Sequence, residues 1–192
     1  MTDATKLYTH YKDVALKHFD ALRMMCQKLK KTSNAGCKEY KNLLYEAYYI
    51  SGYILEGASV YVIFKHIDWK DSIEIPVGKG HRERELTDTN NFNSASSALP
   101  TTDAKVLFAN LHNHNIKEYT NSTFTGCSSV PFFRGDQDTD ASIPTLLKVW
   151  DANKRYFLEQ DFIDAGLSIT ADNIEEIIEF CRKLIIRYIK TI

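Results

Sequence analysis

The feature that most constrains the fold is a segment, residues 47–64, that would be apolar almost all the way round a helix. Such a helix must be surrounded, either by other helices in a soluble core or by lipid. Its length is near the lower limit for a membrane-spanning helix, but Glu56 lies near its middle. A carboxylate at bilayer depth is costly without a partner. We therefore predict no membrane span, and a buried central helix over residues 38–69.

The 3.6-residue period of apolar positions predicts four further helices, at about 5–31, 102–120, 142–160 and 171–191. The last of these has the most regular apolar stripe: Ile174, Ile177, Ile178, Cys181, Leu184, Ile185, Tyr188 and Ile189. Its acidic residues precede its basic ones, an order that complements the helix dipole. It also places Glu179 four residues before Lys183, where the two side chains can pair.

Two stretches between these helices, near 70–101 and 121–141, lack periodicity and have loop composition. Five helices without a convincing set of strands predict an all-α fold, a bundle of about five helices with two long irregular loops. A length of 192 residues suits one domain with one core, so we predict a single domain over 1–192.

Composition excludes several classes of protein. The formal net charge of −1 argues against a dedicated, strongly basic nucleic-acid binder. The four cysteines lack the short spacing of a zinc site, and the first residues begin no apolar run typical of a signal peptide. Free thiols without an export signal are typical of a reducing compartment. We therefore expect a cytoplasmic protein with no metal site and no cofactor.

Three motifs follow one another along the chain. Residues 46–56 combine aromatics, a glycine–aromatic step and a glutamate; His114-Asn115-Ile116 follows; then come Trp150 and the step Arg155-Tyr156, ahead of the last helix. In this order they resemble the HEPN family of helical-bundle domains, which is common in prokaryotic defence and toxin–antitoxin systems. The resemblance implies an all-α fold and a homodimer or a helical protein partner.

The chain departs from the HEPN pattern at two points. Val60 stands where many members have a lysine four residues after the glutamate. The nuclease members also have an arginine followed four to six residues later by a histidine, and no arginine of this chain has one. The resemblance therefore implies the fold and the dimer but not the ribonuclease.

The sequence suggests five candidate binding residues and no catalytic one: Glu56, Arg155, Arg182, Arg187 and Tyr188. A buried carboxylate must be paired or hydrogen-bonded, so we predict that Glu56 is buried against a cationic or donor side chain, with the three arginines as candidates. The alternative places Glu56 at a pocket of the bundle or at a dimer seam. Arg182 and Arg187 could bind phosphate, although basic residues near a helix C-terminus are also expected from the dipole.

Two histidines and Tyr188 are better explained by structural roles than by chemistry. His112 and His114 would diverge on a helix, so they are interpreted as one packing and one surface histidine rather than as metal ligands. Tyr188 has an ordinary pKa of about 10, far from the value that suits a general base.

The leading hypothesis is thus a non-catalytic HEPN-like interaction domain, and the sequence leans against an enzyme. The alternatives are a HEPN-type ribonuclease with a non-standard active site and a small module that contacts RNA or a nucleotide weakly. Under the leading hypothesis we predict no metal-independent RNA cleavage above background.

Overall fold

The computed structural model describes residues 7–75, 114 and 143–190. Of these described residues 72% are helical and none forms a strand, so the predicted all-α class is confirmed. They form five α-helices and one 3₁₀ helix: α1 (Thr9–Lys31), α2 (Lys38–His66), α3 (Thr145–Lys148), the 3₁₀ helix (Ala152–Tyr156), α4 (Glu159–Asp164) and α5 (Ala171–Tyr188). The predicted helices at 5–31, 38–69 and 171–191 correspond to α1, α2 and α5.

The chain divides into two compact units. The first unit comprises Met1–Asp13 and Glu56–Asp140, and the second comprises Val14–Leu55 and Ala141–Ile192. The divisions fall inside α1 and α2, each of which is continuous along the chain. The apolar segment 47–64 of α2 has no exposed residue, as its composition predicted.

The second unit contains α5, whose apolar stripe is its buried face. Six members of the predicted stripe are buried: Ile174, Ile177, Cys181, Leu184, Ile185 and Ile189. The helix begins with a capping box, in which the Thr170 hydroxyl accepts from the backbone N–H of Asn173 and the Asn173 side chain accepts from that of Thr170. The predicted pairing of Glu179 with Lys183 is present, at 3.6 Å.

The single helix predicted over 142–160 is wrong, because this segment is divided into α3, the 3₁₀ helix and α4. Asp151 is extended, with φ of −148°, and its carboxylate accepts from the backbone N–H of Asn153, which caps the 3₁₀ helix instead of continuing α3. Just before this break, the Trp150 indole N–H donates to the backbone oxygen of Tyr49 at 3.0 Å. A Cβ atom at Gly52 would overlap the same indole ring, so only glycine allows Trp150 to approach α2 this closely.

In the first unit, α2 ends at His66, three residues before the predicted end, in a Schellman motif. Asp68 has a φ of 53° in the left-handed region. Its N–H donates to Lys65 O, and the Trp69 N–H donates to Phe64 O. The rings of Phe64 and Trp69 meet edge to face at 5.3 Å, which is the apolar contact that usually accompanies this motif.

Most of the predicted helix 102–120, and most of the predicted loops near 70–101 and 121–141, lie outside the described residues. His114 is described, and its φ of 54° is incompatible with an α-helix passing through that residue. The prediction of an uninterrupted helix over 102–120 is therefore wrong at this position. Within the described part of the chain, no helix is both long enough and apolar enough to cross a membrane.

Candidate functional site

Glu56 lies in α2, in the first unit, and its side chain is only 6% exposed. The Nδ1 atom of His114 is 2.8 Å from its Oε1 atom. The prediction that Glu56 is buried against a donor side chain is confirmed. The predicted identity of the donor is wrong: it is His114 and not one of the three arginines. Sequence periodicity shows that a carboxylate is buried, but it does not show which distant donor reaches it.

The Glu56–His114 pair is asymmetric in its exposure, because the His114 side chain is 45% exposed. When Nδ1–H donates to the carboxylate, the neutral imidazole carries its lone pair on Nε2. A carboxylate that orients an imidazole in this way is the arrangement that prepares a histidine for proton transfer. The positive φ of His114 adds a strained backbone of the kind that is concentrated at functional sites.

Two further polar atoms of α2 are buried in this region. They are the second carboxylate oxygen of Glu56, Oε2, and the Oγ atom of Ser59, one turn later, and neither has a hydrogen-bond partner among the described residues. Tyr11 also lies near this carboxylate: burial raises the pKa of its phenol, and the charge of Glu56 raises it further. Tyr11 thus stays neutral over the physiological range. Buried polar atoms without partners are unusual in native proteins and call for an explanation at each place they occur.

His114 is not one of the five candidate residues that the sequence suggests, since its spacing from His112 predicts only a packing or surface histidine. The signal that could have identified it was the resemblance itself. Glu56 ends the first of the three motifs and His114 begins the second. The two residues that the resemblance singles out separately are in hydrogen-bond contact, although they stand 58 positions apart in the chain.

The other four candidates belong to the second unit. Arg182 in α5 donates two hydrogen bonds of 2.7 Å to the carboxylate of Glu179. These bonds, with the charges of Arg182 and Lys183, lower the pKa of Glu179 to about 2. The Arg182 fork is therefore already engaged in a surface ion pair within its own helix. This geometry favours the structural interpretation of Arg182 over a phosphate site.

Arg187 and Tyr188 are neighbours at the end of α5. The Arg187 guanidinium carbon lies 5.1 Å from the centre of the Tyr188 ring, within the range of a cation–π contact. Arg187 is exposed and Tyr188 is half-buried. The contact places a cation in the last turn of α5, where the helix dipole also favours one.

Arg155 lies in the 3₁₀ helix, where its guanidinium carbon is 4.6 Å from the centre of the exposed Tyr156 ring. A hydrogen bond to Tyr156, and a weaker one to Tyr49, raise the pKa of Arg155. The contacts therefore hold a permanent cation against an exposed aromatic ring. Of the candidates from the sequence, Arg155 is the one that the structure places in an exposed basic and aromatic cluster.

In the described residues, no group of three or more histidine, cysteine, aspartate or glutamate side chains could hold a metal ion. No family model, no curated protein and no solved structure matches this chain.

Proposed function

We propose that this chain is a HEPN-like helical domain that acts in the cytoplasm through protein contacts, as part of a prokaryotic defence or toxin–antitoxin type system. Its partner is a second copy of the chain or another helical protein. The observation that carries the proposal is the exposure of large apolar side chains beside α4. The contact between Glu56 and His114 supports the HEPN-like assignment, because it joins two of the motifs on which the resemblance rests.

Of the apolar side chains in and beside the short helix α4, one is buried in the core and two are exposed to solvent. Phe162 is buried and stacks on Tyr45, with ring centres 4.7 Å apart. Leu158, at the N-cap, is 75% exposed, and Ile163, in the last turn, is 57% exposed. Covering each of these two side chains in an interface would contribute about 1.5–3 kcal/mol. A contiguous exposed apolar patch is typical of a protein contact surface, and the proposal is that Leu158 and Ile163 belong to one.

The proposal is tested by measuring the mass of the protein in solution with analytical ultracentrifugation over a range of concentrations. We expect a dimer that dissociates on dilution. Leu158→Lys or Ile163→Lys should raise the dissociation constant of this dimer by about tenfold or more, since a charge in an apolar interface is poorly solvated. Met24→Lys is the matched control, because Met24 is 71% exposed on α1 in the same unit. A monomer at every concentration, or a dimer weakened equally by all three variants, would contradict a homodimer formed through the α4 region.

A second candidate function, an acid–base enzyme such as a ribonuclease with a non-standard active site, is favoured by one observation. In the Glu56–His114 pair, a buried carboxylate orients a half-exposed imidazole. In the sequence, no arginine is followed four to six residues later by a histidine, and this argues against a ribonuclease of the usual HEPN type. His114 could supply the base from a different position in the chain, since a general base must first be placed in geometric reach of its proton.

The two candidates differ in the outcome of an RNA cleavage assay performed with EDTA. The interaction domain predicts no cleavage above background by rigorously purified protein. The enzyme predicts cleavage that falls by about 10²–10⁴-fold in His114→Ala, the usual effect of removing a positioned base. His10→Ala is the control, because His10 is an exposed histidine of α1. Cleavage that is equal in the two variants would indicate a contaminating nuclease, and the interaction domain would remain the favoured function.

A further inference from the structure

We infer that the segment around the 3₁₀ helix of the second unit is a contact site for single-stranded nucleic acid. The site, the 154–157 cluster, consists of Lys154, Arg155, Tyr156 and Phe157. This inference goes beyond the proposed interaction domain, because it assigns a ligand to residues that a dimer contact does not require.

The 154–157 cluster contains two cation–aromatic pairs in four consecutive residues. The Lys154 Nζ atom lies 4.3 Å from the centre of the Phe157 ring. The guanidinium carbon of Arg155 lies 4.6 Å from the centre of the Tyr156 ring. Both distances are well within the range over which a cation is attracted to an aromatic ring. Each basic side chain of the cluster is thus in contact with an aromatic ring, and basic and aromatic groups together bind the phosphates and bases of a single strand.

The exposed members of the cluster are an arginine and a tyrosine. Tyr156 is 69% exposed, an unusual state for so large an aromatic residue, and Arg155 is exposed beside it. A base can stack on an aromatic ring whatever its sequence, because every base has a π-face. The planar fork of arginine can donate two hydrogen bonds to one phosphate. Adjacent nucleotides of one strand present these two groups, a base and a phosphate, side by side.

The cluster is held in place by packing and hydrogen bonds of the second unit. The Phe157 ring packs edge to face on the buried Phe162, with ring centres 5.2 Å apart. The Tyr49 phenol lies near enough to Arg155 to contribute to its raised pKa, and its hydroxyl is 2.6 Å from that of Tyr53. These contacts restrict the side chains before a ligand arrives. A ligand therefore meets a lower entropic cost of ordering than it would at freely moving lysines and arginines.

The acidic residues that flank the cluster are engaged with other groups. The carboxylate of Asp151 accepts from the backbone N–H of Asn153 at 2.6 Å. The carboxylate of Glu159 is 2.6 Å from Nζ of Lys41. The charges of Lys154 and Arg155 are thus not cancelled by an ion pair with either flanking acid. Both basic side chains therefore remain available to a phosphate group.

Binding is measured by fluorescence anisotropy with two labelled 12-residue probes, oligouridylate RNA and oligothymidylate DNA, at several salt concentrations. We expect both probes to bind the full chain with Kd of roughly 1–100 µM, the range of sequence-independent contacts. Tyr156→Ala should weaken binding by about tenfold through the lost stack, and Tyr156→Phe should retain it. Arg155→Ala should weaken binding to both probes and reduce the slope of log Kd against log salt concentration by about one.

Arg23→Ala is the matched control for charge, because Arg23 is an exposed arginine on α1 whose ion pair with Asp20 is also at the surface. It should leave the affinity and the salt slope close to those of the natural chain. No binding of either probe, or equal weakening by Arg23→Ala and Arg155→Ala, would overturn the inference. If Tyr156→Ala instead dissociates the dimer in ultracentrifugation without changing the affinity for the probes, the ring is a protein contact and the inference is wrong. The α4 variants Leu158→Lys and Ile163→Lys test the dimer separately, so the two proposals can fail independently.

Discussion

The Nδ1 atom of His114 lies 2.8 Å from the Oε1 atom of Glu56, across 58 positions of the chain. One member of this pair is buried and the other is about half exposed. The hydrogen bond is therefore expected to matter more to the buried carboxylate than to the imidazole, which retains contact with water. This asymmetry predicts that removing His114 lowers the free energy of unfolding more than replacing Glu56 does.

We predict that His114→Ala destabilises the fold by about 3–5 kcal/mol, because it leaves a buried carboxylate without its partner. Glu56→Gln should cost only about 1–3 kcal/mol, since the amide oxygen can still accept from Nδ1–H. The free energy of unfolding is measured by urea titration. His10→Ala, at an exposed position, should change it by less than about 0.5 kcal/mol. A larger loss in Glu56→Gln than in His114→Ala would show that the carboxylate does not depend on the imidazole.

The end of α2 offers a stabilising substitution. Asp68 occupies the left-handed position of a Schellman motif, where glycine has no steric penalty. We predict that Asp68→Gly stabilises the protein by up to about 1 kcal/mol, seen as a higher midpoint of urea unfolding. Gly166, with φ of 69°, holds the equivalent position after α4. Gly166→Ala should therefore destabilise by about 1 kcal/mol. The same sign of change for both substitutions would contradict this assignment.

A substitution at Gly52 tests the close approach of Trp150 to α2. A Cβ atom there would overlap the Trp150 indole ring, which is nearly buried and hydrogen-bonded. We predict that Gly52→Ala destabilises by about 1–3 kcal/mol and alters the tryptophan fluorescence, because the ring must move. Gly36→Ala is the control, since a Cβ at Gly36 would meet its nearest atom at an ordinary 3.5 Å. Equal melting temperatures for the two variants would show that Trp150 can shift without cost.

The Glu179 carboxylate provides a prediction about pH. Its two hydrogen bonds from Arg182 lower its pKa from an ordinary 4.5 to about 2. A lowered pKa in the folded state means that the ionised form is favoured by folding, so this contribution is present above pH 4.5 and is lost as the pH falls toward 2. Carbon-13 NMR of the side-chain carboxyl should give a midpoint near 2, which Arg182→Gln raises toward 4.5. Because the pair is exposed, added salt should reduce the difference. An unchanged midpoint in Arg182→Gln would contradict the role of Arg182.

Three helices could be predicted from the sequence because their signals are local. The apolar stripe of α5 and the apolar segment of α2 repeat with the helical period, and the resulting faces are buried as predicted. The pairing of Glu179 with Lys183 follows from their spacing along one helix. The burial of Glu56, and its need for a donor, follow from its position inside an apolar segment. All of these depend on residues a few positions apart.

Contacts between distant residues were decided by the tertiary structure. The break before the 3₁₀ helix accompanies the approach of Trp150 to Gly52, which lies far away in the chain, and no local periodicity encodes that approach. The positive φ of His114 is incompatible with the helix predicted through this residue, and it accompanies the contact of His114 with Glu56. Helical periodicity determines which face of a helix is buried. The partner that meets this face depends on the path of the whole chain, because hydrogen bonds and packing join residues by distance in space and not by spacing in sequence.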